Sequence, residues 1–480
     1  MIKRKRIYMD KTLTIQQSLN EKLSLKQLIF IVLRLSIPAI LAQISSIVMQ
    51  YIDSAMAGSL GAEASASIGL VSTSTWLAGG LCTALAAGFS VQTAQLIGAK
   101  KHTEAESVLR QSIIAASVFG ALLALTGIIL SPFLPVWLGG DPSICSDATK
   151  YFLIYSAALP FVQIRQLTSN MLQCSGDMKT PSVLNAAMCG MDVIFNYFLI
   201  FPSHTFAAAG FTLTIPGADM GVAGAALGTA LAEAATALLM LFMTCFRSPM
   251  LRLTKNGSWR IQLQCLKTAA KISLPVAMER TAMCGAQIAS TGIIAPLGTV
   301  SVAANSLAVT AESFCYMPGY GVGSAATALV GQSIGAGNKR LAKRYAWISV
   351  LLGAAMMSVT GILMYIFAPA MFAILTPVED IRTLGVSVLR IEAAAEPFFA
   401  VSIVAMGALR GAGDTFVPGL MNLLSMWCIR ITASALLTPY LGLKGVWIAM
   451  SGELCIRGSA FLIRLLRGKW LGRNVIKNTT

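Results

Sequence analysis

The chain has 480 residues, 56% of them hydrophobic and only 12% charged, with 36 Lys and Arg against 20 Asp and Glu and a net charge of +16. A soluble domain carries about 25% charged residues, so a mean hydropathy of +0.72 leaves too little polar material to face water and excludes a soluble globular fold. The positive excess falls in every second loop, as a topology signal requires, which excludes nucleic acid as its partner and makes the lipid bilayer the surroundings.

The N-terminal stretch "MIKRKRIYMDKTLTIQQSLNEKLSLKQ" is basic and has no small-residue cleavage site after a short apolar core, so residues 1–27 read as a retained cytoplasmic tail. Twelve apolar segments of membrane length follow: 28–53, 64–93, 110–132, 148–174, 182–202, 220–246, 268–292, 302–330, 345–368, 384–409, 418–438 and 445–466. They are roughly twenty residues long and lack a period of two, so the fold class is an all-α polytopic membrane protein and not a barrel. The turns "GAKKHTEAESVLR", "CSGDMKTP", "GAGNKRLAKR" and "LRGAGDTF", the segment after residue 246 and the tail 467–480 hold most of the basic residues. The intervening loops hold only Arg382 and Lys444, which places both termini in the cytoplasm of a cell (inner) membrane protein. The ten cysteines sit mostly inside apolar segments, with no metal or disulfide spacing.

A shift of 237 residues carries Ser36–Pro38 onto Ser273–Pro275, Gln95 onto Gln332, Pro160–Phe161 onto Pro397–Phe398, Gly176–Asp177 onto Gly413–Asp414 and Asn185 onto Asn422. The register then changes within the outer loop "FPSHTFAAAGFTLTIPGAD", and Gly221–Val222 meets Gly445–Val446 at a shift of 224. The chain therefore reads as two six-helix lobes, 28–246 and 268–466, joined by a cytoplasmic linker over 247–267. An even number of crossings per repeat makes the repeats parallel, with their pseudo-symmetry axis along the membrane normal. Two such lobes enclose a cleft that rocking exposes to either side, the signature of a secondary transporter.

In chain order, Pro38 and Pro275 fall in equivalent helices, where proline removes a donor and crowds the preceding turn; each acts as a hinge or as a fixed kink. Asp53 lies 15 residues after Pro38, about 22 Å along a helix. That is the outer half of the first crossing, or its end. Facing the lobe interior, such a carboxylate can take a proton. Asp192 and Asn196 share one helical face at a spacing of four. With Asp53 they form a candidate site for a proton or for Na+, or a purely structural network. In the second half, Glu279 and Arg280 follow Pro275, Glu312 and Tyr316 share a face, and Glu392 and Glu396 share another. Glu312, furthest from either helix end, can attract a cationic substrate, with Phe314, Tyr316 and Met317 as apolar contacts; Glu279 and Glu396 are further cleft candidates. An ion pair of Arg280 with Glu279 or Glu312 is the structural alternative. Glu453 and Arg457 read as an i,i+4 pair, and His102 and His204 lack the company of a metal site. The Gly-Asp turns 176–177 and 413–414 read as capped turns that build the lobes.

No GxxxxGK[ST] occurs and no nucleophile, metal or cofactor constellation stands out, so the chain reads as a transporter without a cofactor, not as an ATPase or other enzyme. The stretches "SIPAILAQ…YIDSAMAGSLG", "SLPVAMER…IIAPLG", "AESFCYMPGYGVGSAATALVGQSIGAG", "GDMKTP", "LRGAGDTFVP" and the paired "GVAGAALGTA" and "GVWIAM" resemble the multidrug and toxic compound extrusion (MATE) family, from about residue 28 to 466. The resemblance implies a twelve-helix, V-shaped antiporter that exports small organic cations, drugs or other toxic compounds in exchange for protons or sodium. It implies that Asp53 is the family's acid in the first helix. The family's fifth-helix pair, Asn followed by Asp or Asn, reads here Asp192 and Asn196, and its seventh-helix acid falls on Met283, with Glu279 one turn earlier. The closest functional rival is a flippase or exporter of a lipid-linked saccharide or other amphipathic anion, which would favour more helices and a cationic cleft. The sequence sets no oligomeric state, and one chain suffices for the cycle.

Overall fold

The computed structural model describes Ile15, Leu19 and residues 23–208, 211–254, 257–473 and 475–476. The predicted tail 1–27 thus lies largely outside the described residues. Helix α1 (Leu25–Ser59) starts at a capping box, in which the Gln27 N–H donates to Ser24 Oγ at 3.4 Å and the Ser24 N–H donates to Gln27 Oε1 at 2.9 Å. Helices α2 (Ala62–Gly98), α3 (His102–Leu130), the single turn α4 (Leu134–Trp137), α5 (Pro142–Ser175) and α6 (Lys179–Ile200) follow. Strands β1 (Pro202–Ala208) and β2 (Phe211–Ala218) lead to α7 (Gly221–Phe242), which ends in a π-helical turn, Met243–Arg247. The second half comprises α8 (Leu263–Ile294), α9 (Thr299–Gly335), α10 (Lys339–Leu375), α11 (Glu379–Ala393) and α12 (Glu396–Gly411). It closes with α13 (Phe416–Leu424), the π-helical segment Ser425–Ile431, α14 (Thr432–Leu441) and α15 (Leu443–Arg467).

Among the described residues, eight helical stretches are long and apolar enough to cross a membrane: α1, α2, α3, α6, α7 with its π turn, α10, the continuous α13–α14 stretch and α15. The chain is a polytopic α-helical membrane protein. Helices α5, α8 and α9 are equally long but less apolar or more charged, and the α11–α12 pair is interrupted.

Most helices overrun their predicted spans at one end or both; α1 continues to Ser59, so Asp53 lies inside a helix and not at its end. The loop that holds the register change is an antiparallel hairpin, paired from Pro202 with Ala218 to Ala208 with Phe211. Its run of Thr, Phe and Ile favours strands, and the insertion relative to the second half is this hairpin. The predicted single helix over 384–409 is broken at Ala394–Ala395, so Glu392 ends one helix and Glu396 starts the next. The linker is shorter than predicted, because α8 begins at Leu263.

That linker is fastened to α3. Glu106 Oε1 accepts the Thr254 hydroxyl at 2.8 Å, Arg110 Nη2 donates to the Thr254 carbonyl at 2.7 Å, and Gln111 bonds the backbone of Arg260 and Gln262 at 2.7 and 3.0 Å. Glu106→Ala leaves the Arg110 guanidinium without its carboxylate, and limited proteolysis is expected to cut within 251–262 several-fold faster than in the parent chain.

The turns after α2, α5, α9 and α12 gather with the linker at one end of the molecule, the end that carries most of the basic residues. There α2 crosses α9 so closely that a Cβ on Gly98 would collide with the Gln332 carbonyl, and one on Gly335 with the Gln95 carbonyl. Helix α1 packs on α9 as well, and further along these helices the Tyr51 and Phe314 rings meet at 5.2 Å. The two halves are thus joined tightly at the basic end. The Gly176 turn is capped as predicted, Asp177 accepting from the Thr180 hydroxyl at 2.6 Å and N–H at 3.1 Å. Its counterpart Asp414 instead pairs with Arg464 at 2.6 Å and Arg473 at 3.4 Å.

Candidate functional site

Helices α1 and α6 bring Asp53, Asp192 and Asn196 together. Ser182 at the start of α6 donates to the Pro38 carbonyl at 2.6 Å, which sets the two helices side by side. One turn of α6 separates Asp192 from Asn196, and Asn196 Nδ2 donates to Asp53 Oδ1 and to Asp192 Oδ2, each at 3.0 Å. Asp192 is 0% and Asn196 1% exposed, whereas Asp53 is half-buried. Sharing that one amide nitrogen brings the Asp53 and Asp192 carboxyl groups close to each other, with Thr229 of α7 beside Asp192. Asn196 fits because Gly228 of α7 has no side chain: a Cβ there would strike the Asn196 amide oxygen and lie 2.9 Å from its backbone nitrogen.

Two carboxylates in contact repel unless a proton or a cation lies between them. Asp192 Oδ1 and Asn196 Oδ1 are buried oxygens with no hydrogen-bond partner among the described residues, so the cluster has acceptor capacity left over. Oxygen acceptors alone suit a proton or a hard cation such as Na+. Asn196 links the two acids and thereby α1 to α6.

In the second half, Glu312 of α9 lies within electrostatic reach of Glu392 and Glu396, which flank the α11–α12 break. Glu312 is 6% exposed and the other two 0%. Ser451 donates to Glu392 Oε2 at 2.8 Å, but Glu392 Oε1 and both Glu396 oxygens accept no hydrogen bond among the described residues. Tyr316 packs on Phe399 at 5.5 Å and on Tyr320 at 6.1 Å, and Met317 is half-buried on the same turn of α9. The 237-residue shift places Glu312 over Thr75 and Glu392 over Tyr155, where the Tyr155 hydroxyl donates to the Thr75 carbonyl at 3.0 Å. The first half builds the same helix contact with a neutral bond, so the fold does not require acids there.

Glu279 is apart from this group. It accepts from Asn422 at 2.9 Å and faces Arg410 at 4.0 Å, in place of the pairing with Arg280 considered from sequence. The stem of Arg280 instead lies against α2 at Gly80. Glu453 pairs with Arg457 at 3.1 Å, as its spacing predicted, and also with Arg430 of the π segment at 2.9 Å. Pro38 and Pro275 both lie inside long helices, each beside the start of its neighbour, Ser182 and Gly419 respectively. Sequence reasoning missed Gly228 and Thr229, although "GVAGAALGTA" was in view, and placed Glu392 beside Glu396 without assigning it a role.

Comparison with known proteins identifies the family. The MatE family model matches the chain twice, over residues 38–198 and 275–436. A relative described as probable multidrug resistance protein NorM of Thermotoga maritima is 26% identical over 453 residues, spanning 92% of this chain and 93% of the relative. Multidrug resistance protein MdtK of Yersinia pseudotuberculosis is 25% identical over 452 residues, spanning 92% and 94%. Among solved structures, an outward-facing multidrug resistance MATE family transporter of the MOP superfamily superposes with a TM-score of 0.84 at 19% identity, covering 93% of this chain and 97% of that one. A MOP superfamily transporter from Pyrococcus furiosus, described as having a binding pocket of reverse polarity, gives 0.84 at 18% identity, covering 95% and 100%. With both matched segments, the larger part of the chain, related by the same shift as its internal repeat, the chain belongs to the MatE family of membrane transporters.

Proposed function

We propose that the protein is a secondary antiporter that exports small organic, cationic compounds in exchange for protons or Na+, by alternating access between two parallel six-helix lobes. The observation that carries the proposal is the Asp53, Asp192 and Asn196 cluster, two facing carboxylates bridged by one amide across α1 and α6. In this reading α5, α8, α9 and the α11–α12 pair complete twelve crossings, and the lobes enclose a V-shaped cleft. The basic end and both termini are cytoplasmic in the inner membrane, one chain is the working unit, and no cofactor takes part. Closure at the basic end then corresponds to a state open to the outside. Ion binding draws α1 and α6 together about Asn196 and reshapes α1 around Pro38, with Pro275 as the matching hinge, and this lowers affinity for the outward-facing substrate. Glu312, Glu396 and Glu279 supply negative charge to the substrate path, with Tyr316 and Met317 as its apolar contacts.

The test is efflux of an organic cation from reconstituted vesicles under separately imposed proton and sodium gradients. Efflux driven by one gradient supports the proposal and names the ion; none under either rejects it. Glu312→Gln is expected to raise the KM for the cation about tenfold, the size of one lost charge-assisted contact, while leaving gradient-driven efflux at saturating cation in place.

Export of a lipid-linked saccharide or other amphipathic anion is a second reading, favoured by Arg280, whose Nε is buried without a hydrogen-bond partner among the described residues beside Gly80 of the other half. Transport of an anionic amphiphile and not of the cation in the same vesicles would select it.

A further inference from the structure

Two glutamines related by the internal repeat make the same bond to opposite halves of the molecule. Gln95 Nε2 donates to the Gly411 carbonyl at 3.2 Å, and Gln332 Nε2 donates to the Cys174 carbonyl at 2.8 Å. The shift that carries Gln95 onto Gln332 also carries Cys174 onto Gly411. Both side chains are buried, at 0% and 1% exposure. They flank the tight α2–α9 crossing at Gly98 and Gly335, so the halves cannot part at this end without breaking both bonds.

Gln95 lies under the C-terminal segment. The Val475 N–H donates to Gln95 Oε1 at 2.9 Å, and the Val475 side chain lies over the Gly413 turn. This tail is anchored by Trp470, which is 0% exposed in a core built mainly by second-half helices with α1 against them, and by the Arg473 to Asp414 pair. Three residues past Arg473, Ile476 is buried among apolar residues of α2, α3 and α5 in the first half, with Cys265 and Ala269 of α8 beside them. On the pseudo-equivalent side Ile15 is buried with its Cδ1 3.2 Å from where Gly176 would carry a Cβ, and the amide of Gln332 lies 3.8 Å from that same point. The tail thus passes from one half into the other, over a glutamine that already spans them.

We infer that Gln95 and Gln332 form a reciprocal latch across the basic-end gate, and that the described C-terminal residues, 469–473 with Val475 and Ile476, act as a strap that holds the latch shut. Opening at the basic end requires Ile476 to leave the first half and Gln95 to give up both its backbone partners. The strap therefore weights the protein toward the state closed at the basic end. The inference rests on the alternating-access reading above and adds the element that sets its resting balance.

Hydrogen exchange on the full chain in lipid nanodiscs tests it, following residues 88–98 and 323–335 at the gate and residues 50–58 and 300–312 toward the other end. A chain ending at Gly468 and an Ile476→Ser chain, which keeps Trp470 in place, are compared with the parent. The expected result is exchange at the gate faster by about tenfold, the scale of one or two lost hydrogen bonds, with exchange toward the other end slowed. Unchanged gate exchange in both variants overturns the strap, and equal acceleration at both ends overturns it too, since that marks loosened packing alone. Gln95→Ala and Gln332→Ala should each reproduce the gate response; a response to neither overturns the latch. Vesicle flux reports on the antiport reading separately, because absent ion-driven flux beside an intact exchange response removes that reading and leaves the latch.

Discussion

Asp53→Asn is expected to reduce gradient-driven efflux to the level of protein-free vesicles while the protein remains folded in the membrane. The substitution keeps the side chain's size and its oxygen for the Asn196 N–H, so the α1–α6 contact survives. What disappears is the second carboxylate facing Asp192, and with it the need for a proton or a cation between them. Thermal unfolding should occur at the parent temperature or slightly above it, because a repulsion has been removed. Undiminished gradient-driven efflux by this variant would show that coupling resides elsewhere.

Gly228→Ala should have an equally large effect through a residue that bears no charge. The added methyl group collides with the Asn196 amide oxygen, so Asn196 must rotate or α7 must move away from α6. Overpacking of this kind costs about 1–3 kcal/mol, and the two hydrogen bonds to carboxylates that Asn196 makes are worth about 1.5–3 kcal/mol each. Efflux should fall as far as in Asp53→Asn, and the unfolding temperature should fall with it. Gly190→Ala on α6 is the matched comparison: a Cβ there meets nothing within 4 Å, and both properties should stay at parent values. Equal behaviour of the two alanine variants would contradict the role given to the Gly228 contact.

The repeat and the acids were legible in the sequence for physical reasons. Membrane spans show through length and apolarity, and the shift that joins Pro38 to Pro275 shows because both halves need the same turns and crossings. Asp53 stood out because a charge is costly in an apolar helix, and the i,i+4 rule put Asp192 beside Asn196. The contacts that complete the site have no such periodic trace. Gly228 acts by the absence of a side chain opposite Asn196, and Asn422 and Arg410 reach Glu279 from helices far along the chain. The break at Ala394–Ala395 falls just before Pro397, which cannot donate to the preceding turn, yet its repeat counterpart Pro160 stays inside a continuous helix, so the proline alone did not mark the break. The hairpin over Pro202–Ala218 had alternating strand formers, but its position between two crossings made it read as a loop. Gln95 and Gln332 were visible as a repeated pair, yet only the folded chain shows each of them bonded to the opposite half.

The most direct measurement is the number of ions released when an organic cation is added to the purified protein in a weakly buffered solution, followed by pH and by radioactive sodium. Coupling is reciprocal, so if the cluster of Asp53, Asp192 and Asn196 binds the exchanged ion, substrate must expel protons or Na+ from the parent chain and none from Asp53→Asn. Release of the same amount from both proteins, or cation binding to the parent without any release, would contradict the account.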